Sequence, residues 1–254
     1  MRKSLSKSIL LIVTLLVVLL PLVVVLVSSF MTSSAQDVSA VSLNWYTEAF
    51  TNKRFTEALQ HSSLLALLTS ICATPLAFFL AIFYWESKKR IIILLFILLW
   101  GIIPPEVQAI AFSSIVNLGE VFALDWVVHI VSITLGVLPY CALLMIATLN
   151  TFDPNVILAA QDLGATNSVA IRKIVLPLAL PGLISCLVLA FLLGLNEYAK
   201  TYYLSGSTEY ISELMIGKLR SGADPTIYAA GGLNILLALV FIAIFKISQR
   251  FLHS

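Results

Sequence analysis

Two carboxylates stand where an apolar chain can least easily hold them. Glu106 follows Pro104-Pro105 inside an otherwise apolar stretch, and Glu197 follows Asn196 at the end of another. An ionisable side chain at membrane depth is costly, and it marks either a pathway or a satisfied structural pair. Two carboxylates along one route suit a cation with separated amines. Trp45 and Tyr198 add ring faces that attract such a cation. The chemistry indicated is recognition of a charged solute, not bond-making. Each residue also has a plain structural reading: Glu106 as partner to a helix break or a sister subunit, Glu197 as a cap or gate. Trp45 suits an interface anchor, at a depth that tryptophan favours.

No catalytic constellation accompanies them. His61, His129 and His253 lie near different membrane faces or ends and read as interfacial or surface residues. Cys72, Cys141 and Cys186 lie inside apolar runs without metal-ligand spacing and read as small packing residues. The sequence contains no G-x-x-x-x-G-K-[ST] phosphate loop, so no nucleotide site is read in it.

The elements that must position these residues are apolar helices. Hydrophobic residues make up 60% of the 254 and charged residues 11%, where a soluble domain carries about a quarter charged. The net charge of +2 gives no reason to expect nucleic acid. A spanning helix needs about 20 mainly apolar residues. Stretches at about 9–30, 63–85, 91–116, 126–149, 178–195 and 229–245 meet or approach that length. The fold class is therefore an all-α polytopic membrane protein, one domain of six transmembrane helices. The first stretch is too long for a signal-peptide core and reads as an uncleaved span.

Six spans put both termini on one side with the loops at 86–90 and 150–177. That side holds ten of the 15 lysines and arginines, including Arg2, Lys3, Lys88, Lys89, Arg172 and Lys173. The positive-inside rule makes it the cytoplasm. On the other side, "LNWYTEAFTNKRFTEAL" has the amphipathic spacing of a short helix at the membrane surface. "SELMIGKLRSGADP" predicts a second short helix, closed by Gly222 and Pro225.

The loop at 150–177 is the most specific feature. Asp153 followed by Pro154 is a favoured helix start, and "NVILAAQDLGA" continues it. Gly164 interrupts, and "VAIRKIVL" resumes until Pro177 stops the run. Ala159, Ala160 and Gly164 form a small-residue surface over which another protein can pack.

That loop resembles the cytoplasmic signature of permease subunits in binding-protein-dependent ABC importers: EAA, three residues, Gly, nine residues, Ile, one residue, Leu-Pro. Here Ala159-Ala160, Gly164, Ile174 and Leu176-Pro177 fall at every expected spacing, with Leu158 in place of the usual glutamate. The resemblance implies a type I importer permease fold. It further implies a coupling helix docked on a cytoplasmic ATPase, with Asp162 among its contact residues and Arg172 and Lys173 placed to meet either the ATPase or anionic lipid head groups. ATP and magnesium would reside on that ATPase, and no cofactor in this chain. "NWYTEAF", "PPEVQAIA" and "NEYAKTYYLSG" look like the spermidine/putrescine subfamily, and within it the second of two different permease subunits.

The implied partners are a second, different permease, two ATPase copies, a periplasmic or lipid-anchored binding protein and membrane lipids, in a bacterial inner membrane. Matching places in the polyamine permeases carry acidic residues and an outer-loop tryptophan, as Glu106, Glu197 and Trp45 do. Asn196-Glu197 replaces the subfamily's Asp-Asp, and Lys200 adds a positive charge nearby. This keeps open a related permease for ferric iron, an aminophosphonate or another small organic ion.

Overall fold

The structure, a computed structural model, describes all residues except 1, 32–40, 119–124, 154, 205, 207, 223–224 and 253–254. The described residues form helices, with one isolated antiparallel bridge between Met31 and Val41. In chain order the first helices are α1 (Arg2–Ser29), α2 (Asn44–Thr51), α3 (Lys53–Glu86), α4 (Arg90–Ile102), α5 (Pro105–Leu118) and α6 (Asp125–Leu149). Then come α7 (Asn155–Asp162), α8 (Asn167–Ala170), a π-helical turn (Ile171–Val175) and α9 (Leu176–Leu178). The last are α10 (Leu180–Leu195), α11 (Ala199–Leu204), α12 (Ile211–Ser221) and α13 (Thr226–Leu252).

Not every one of the six expected stretches is a single unbroken spanning helix among the described residues. Among the described residues, α3, Trp126–Leu149 and Thr226–Ala243 are long and apolar enough to cross a membrane. Two bent pairs bring the total to up to five, and Val13–Ser29 is a shorter apolar stretch. The stretch at 91–116, expected as one span, is broken: α4 and α5 meet at 88°. The cause lies in Pro104 and Pro105. Neither has an N–H to continue the ladder, so the carbonyls of Trp100 and Gly101, four residues earlier, lose their helical donors.

A second correction concerns "LNWYTEAFTNKRFTEAL", which is two helices and not one. Asn52 is extended, at φ −76° and ψ 112°, and its Oδ1 accepts the N–H groups of Arg54 and Phe55 at 3.0 and 3.3 Å. That caps α3, so the second half of the stretch becomes the first turns of a long helix.

The chain divides into two compact units. One comprises Met1–Glu57 and Leu214–Ile242. In it Gly231 and Gly232 allow a close approach: a Cβ on Gly231 would lie 2.7 Å from Val25 Cγ1. Tyr46 Oη donates to Ser29 Oγ at 2.8 Å.

The other unit comprises Ala58–Glu213 and Ala243–Ser254. Here α10 packs along α6, and α11 packs on α5 and α6. Small residues let α10 approach both α6 and α3 closely, as is common where apolar helices associate without water to drive them together. Cys141 and Cys186, both buried, donate S–H to each other's carbonyl at 3.7 and 3.2 Å. A Cβ on Gly194 would lie 3.3 Å from Ala66 Cα.

Candidate functional site

The loop of residues 150–177 is built by local backbone rules. Asp153 starts α7, its Oδ1 accepting the Asn155 N–H at 2.9 Å and its carbonyl the Val156 N–H at 3.1 Å. Pro154 lies outside the described residues. At the far end Gly164 has φ +87°. Its N–H donates to Gln161 O at 2.8 Å and the Ala165 N–H to Ala160 O at 3.0 Å. This pair of bonds is a Schellman motif, whose left-handed position suits glycine. Glycine is therefore needed here for the turn as well as for the surface. The turn leads into α8, where Asn167 Nδ2 donates to Glu86 Oε1 at 2.8 Å and ties the loop to the end of α3.

Pro177 does not stop the helix, contrary to the sequence reading. The chain stays helical to Leu178, and the break falls at Ala179, where the next segment departs at 68°. The π turn explains this. The Leu176 N–H reaches back five residues to Ile171 O, and such a widened turn relieves the clash that a proline ring makes with the carbonyl four residues earlier.

Of the residues expected to contact an ATPase, Ala159, Asp162, Gly164, Arg172 and Pro177 are exposed, and Ile174 and Leu176 are half-buried. Ala160 is buried, so it does not belong to the exposed small-residue surface predicted for it. It lies about 100° around the helix from Ala159. Leu163 stands out instead at 90% exposed, with Leu158 at 57%. Leu163 was not among the residues expected to contact an ATPase. Its position beside the Gly164 turn was the available signal.

The second cluster surrounds the α4–α5 break. Gln108 repairs it, donating from Nε2 to Trp100 O at 3.2 Å and to Ile103 O at 3.0 Å. Glutamine four residues after Pro104 was the legible sign, and the sequence reading missed it. Glu106 is exposed in the first turn of α5, where the helix dipole favours a negative charge. Among the described residues it makes no hydrogen bond or ion pair.

Glu197 lies at the α10–α11 corner and is engaged twice. Its Oε1 accepts the Lys200 N–H at 3.2 Å and its Oε2 lies 3.3 Å from Lys200 Nζ. The two side chains are 13% and 2% exposed. Beside it the exposed Asn196 turns Nδ2 back to Leu192 O at 2.8 Å. Tyr198 stacks on Tyr202 with ring centroids 5.3 Å apart. The structure thus gathers Asn196, Glu197 and Tyr198 at one corner, on an α11 that packs against Glu106's helix. Trp45 belongs to the other unit, its indole N–H bonded to Met31 O at 2.6 Å.

Comparison with known proteins gives these two clusters a context. The family model described as "Binding-protein-dependent transport system inner membrane component" matches residues 73–254. The spermidine/putrescine transport system permease protein PotC of Haemophilus influenzae is 29% identical over 82% of both chains. Its Escherichia coli K12 counterpart is 26% identical over 81% of this chain and 79% of that one. Among solved structures, a bacterial alginate ABC transporter bound to a periplasmic protein carrying an alginate pentasaccharide aligns with a TM-score of 0.72. It covers 100% of this chain and 96% of that one at 21% identity. An amino acid ABC transporter crystallised with histidines aligns with a TM-score of 0.60 at 18% identity, covering 81% and 97%. The structural likenesses establish the fold alone.

Proposed function

Because the chain belongs to the family of binding-protein-dependent transport system inner membrane components, we propose that it forms one half of an ATP-driven importer's translocation pathway and carries a polyamine or similar small organic cation. The observation that carries the importer reading is the helical hairpin of residues 155–178. Its Schellman turn at Gly164 and the continuous run through Pro177 join an exposed surface to α10 through consecutive helical turns. Closure of an ATPase dimer against that surface would move the bundle between two arrangements, as alternating access requires.

The permease itself does no chemistry in this reading. A second, different permease completes the pathway, two copies of an ATPase bind ATP and magnesium, and a binding protein delivers the solute. Both termini and the 150–177 loop lie in the cytoplasm, in keeping with the distribution of basic residues. The polyamine assignment is supported by the names of the PotC relatives and by the exposed carboxylate of Glu106 beside the α4–α5 break. A related permease for ferric iron, an aminophosphonate or another small ion is favoured by one observation, the pairing of Glu197 with Lys200.

The test is ATPase activity of the reconstituted complex with its own binding protein, loaded with putrescine or spermidine in turn. Stimulation by either supports the polyamine. A complex that assembles and hydrolyses ATP without responding to either keeps the permease and removes that solute.

A further inference from the structure

One of the two carboxylates expected to face the solute is already occupied. We propose that Lys200 is a specificity-determining residue that withholds Glu197 from the solute, so that this permease half presents a single carboxylate, Glu106. The inference rests on the cation-importer reading and deepens it. The preferred solute offers one ammonium group to this chain and does not bridge two carboxylates as a diamine would.

Three observations converge. Both oxygens of Glu197 are used within the chain, one by the Lys200 backbone N–H and one by its ammonium. The ammonium sits in a notch that the backbone provides: a Cβ on Gly136 would lie 2.5 Å from Nζ and 2.9 Å from Cε. The same point lies 3.4 Å from Gln108 Oε1, a buried acceptor with no hydrogen-bond partner among the described residues. An acceptor at the notch favours a cation there. Glycine at 136, glutamine at 108 and glutamate at 197 therefore form a place for Lys200 on three elements, α6, α5 and the α10–α11 corner.

The energetics favour the resident cation over a visiting one. Removing one partner of a buried ion pair strands the other charge away from water, which is far costlier than parting an exposed pair. A solute ammonium that took Glu197 would strand Lys200. Glu106 carries no such penalty, being exposed and without an ion pair among the described residues.

The experiment compares uptake of putrescine with uptake of 4-aminobutanol, its single-ammonium analogue. It uses proteoliposomes containing the whole importer, with the same binding protein in every sample, so that a changed ratio reports on the permease. Lys200→Met is expected to raise the putrescine-to-aminobutanol ratio about tenfold, the lower end of what close charge pairs contribute at interfaces. Glu197→Gln combined with Lys200→Met removes both charges and is expected to return the ratio towards wild type, which a purely structural role would not produce. If Lys200→Met does not assemble, Gly136→Ala displaces the ammonium while keeping both charges, and should shift the ratio in the same direction.

An unchanged ratio in an assembled variant overturns the role of Lys200 and leaves the importer reading intact. Wild-type complex that imports neither amine overturns the cation reading, and the inference with it.

Discussion

Trp100 donates its indole N–H to the carbonyl of Leu135 at 2.8 Å, and Leu135 is the residue whose carbonyl Pro139 leaves without a helical donor. Pro139 lies inside α6, four residues after Leu135, and has no N–H to give. The side chain of one helix thus repairs the backbone of another. The same device recurs at the α4–α5 break, where Gln108 serves Trp100 O, freed by Pro104, together with Ile103 O. Prolines in apolar helices are tolerated where neighbours re-satisfy the backbone, and here both repairs meet on Trp100, one through its indole and one through its carbonyl.

Trp100→Phe keeps the ring but removes the donor. The variant is expected to lose about 1 kcal/mol, near the low end for an unmet buried acceptor because membrane hydrogen bonds are modest. Thermal unfolding of the purified protein measures it. An unchanged midpoint would show that Leu135 O finds another donor.

Gln108→Leu leaves the carbonyls of Trp100 and Ile103 without the amide that joins them. The expected loss is larger, about 1–3 kcal/mol, since two hydrogen bonds go and Ile103 O loses its donor, while Trp100 O keeps the Ile103 N–H at 3.3 Å. Unfolding in the same detergent should rank it below Trp100→Phe in stability. The reverse order would contradict the capping role.

Gly164 separates turn from surface. Among the described residues, nothing beyond its chain neighbours lies within 4 Å of where its Cβ would stand, so the constraint is φ. Gly164→Val should distort the loop, since β-branched residues resist positive φ. Gly164→Asp is better tolerated by the backbone, and is expected to leave the chain in the membrane while abolishing uptake by placing a charge on the coupling surface. Normal uptake by that variant refutes the coupling assignment.

Leu163 predicts a contact and not a stability effect. At 90% exposed, its replacement by Asp should leave the midpoint of unfolding within about 0.5 kcal/mol of wild type. Co-purification of the ATPase is expected to fall sharply. Full recovery of the ATPase would remove Leu163 from the docking surface.

Glu106→Gln should lower uptake of a cation while the complex still assembles, because the carboxylate has no internal partner among the described residues to strand. Uptake in proteoliposomes is the readout. If cation transport is unchanged, Glu106 serves the fold or the sister subunit.

Fold class and the helical loop of residues 150–177 were legible because both depend on short-range rules. Apolar length predicts helices, and the spacing from Ala159 to Pro177 marks the loop without reference to any other part of the chain. Local chemistry also predicted the start of α7 at Asp153 and the turn at Gly164. The sequence reading misplaced features where a distant group intervened. Pro104-Pro105 was visible as a perturbation, but the 88° bend depends on whether the carbonyls at the break find partners, and Gln108 serves those of Trp100 and Ile103. Pro177 read as a stop because a regular α-helix cannot carry it. The widened turn at Ile171–Val175 has no composition that announces it.

By itself, then, the sequence determined an all-helical membrane protein with a short helical loop between apolar runs, since hydrophobic length and turn chemistry act within a few residues. Only the tertiary structure decided which charges remain available. Glu106 and Glu197 look alike along the chain. Gly136, Gln108 and Lys200, brought together from α6, α5 and α11, bury one carboxylate's counter-ion and leave the other exposed, because electrostatic availability depends on distance in space and on burial.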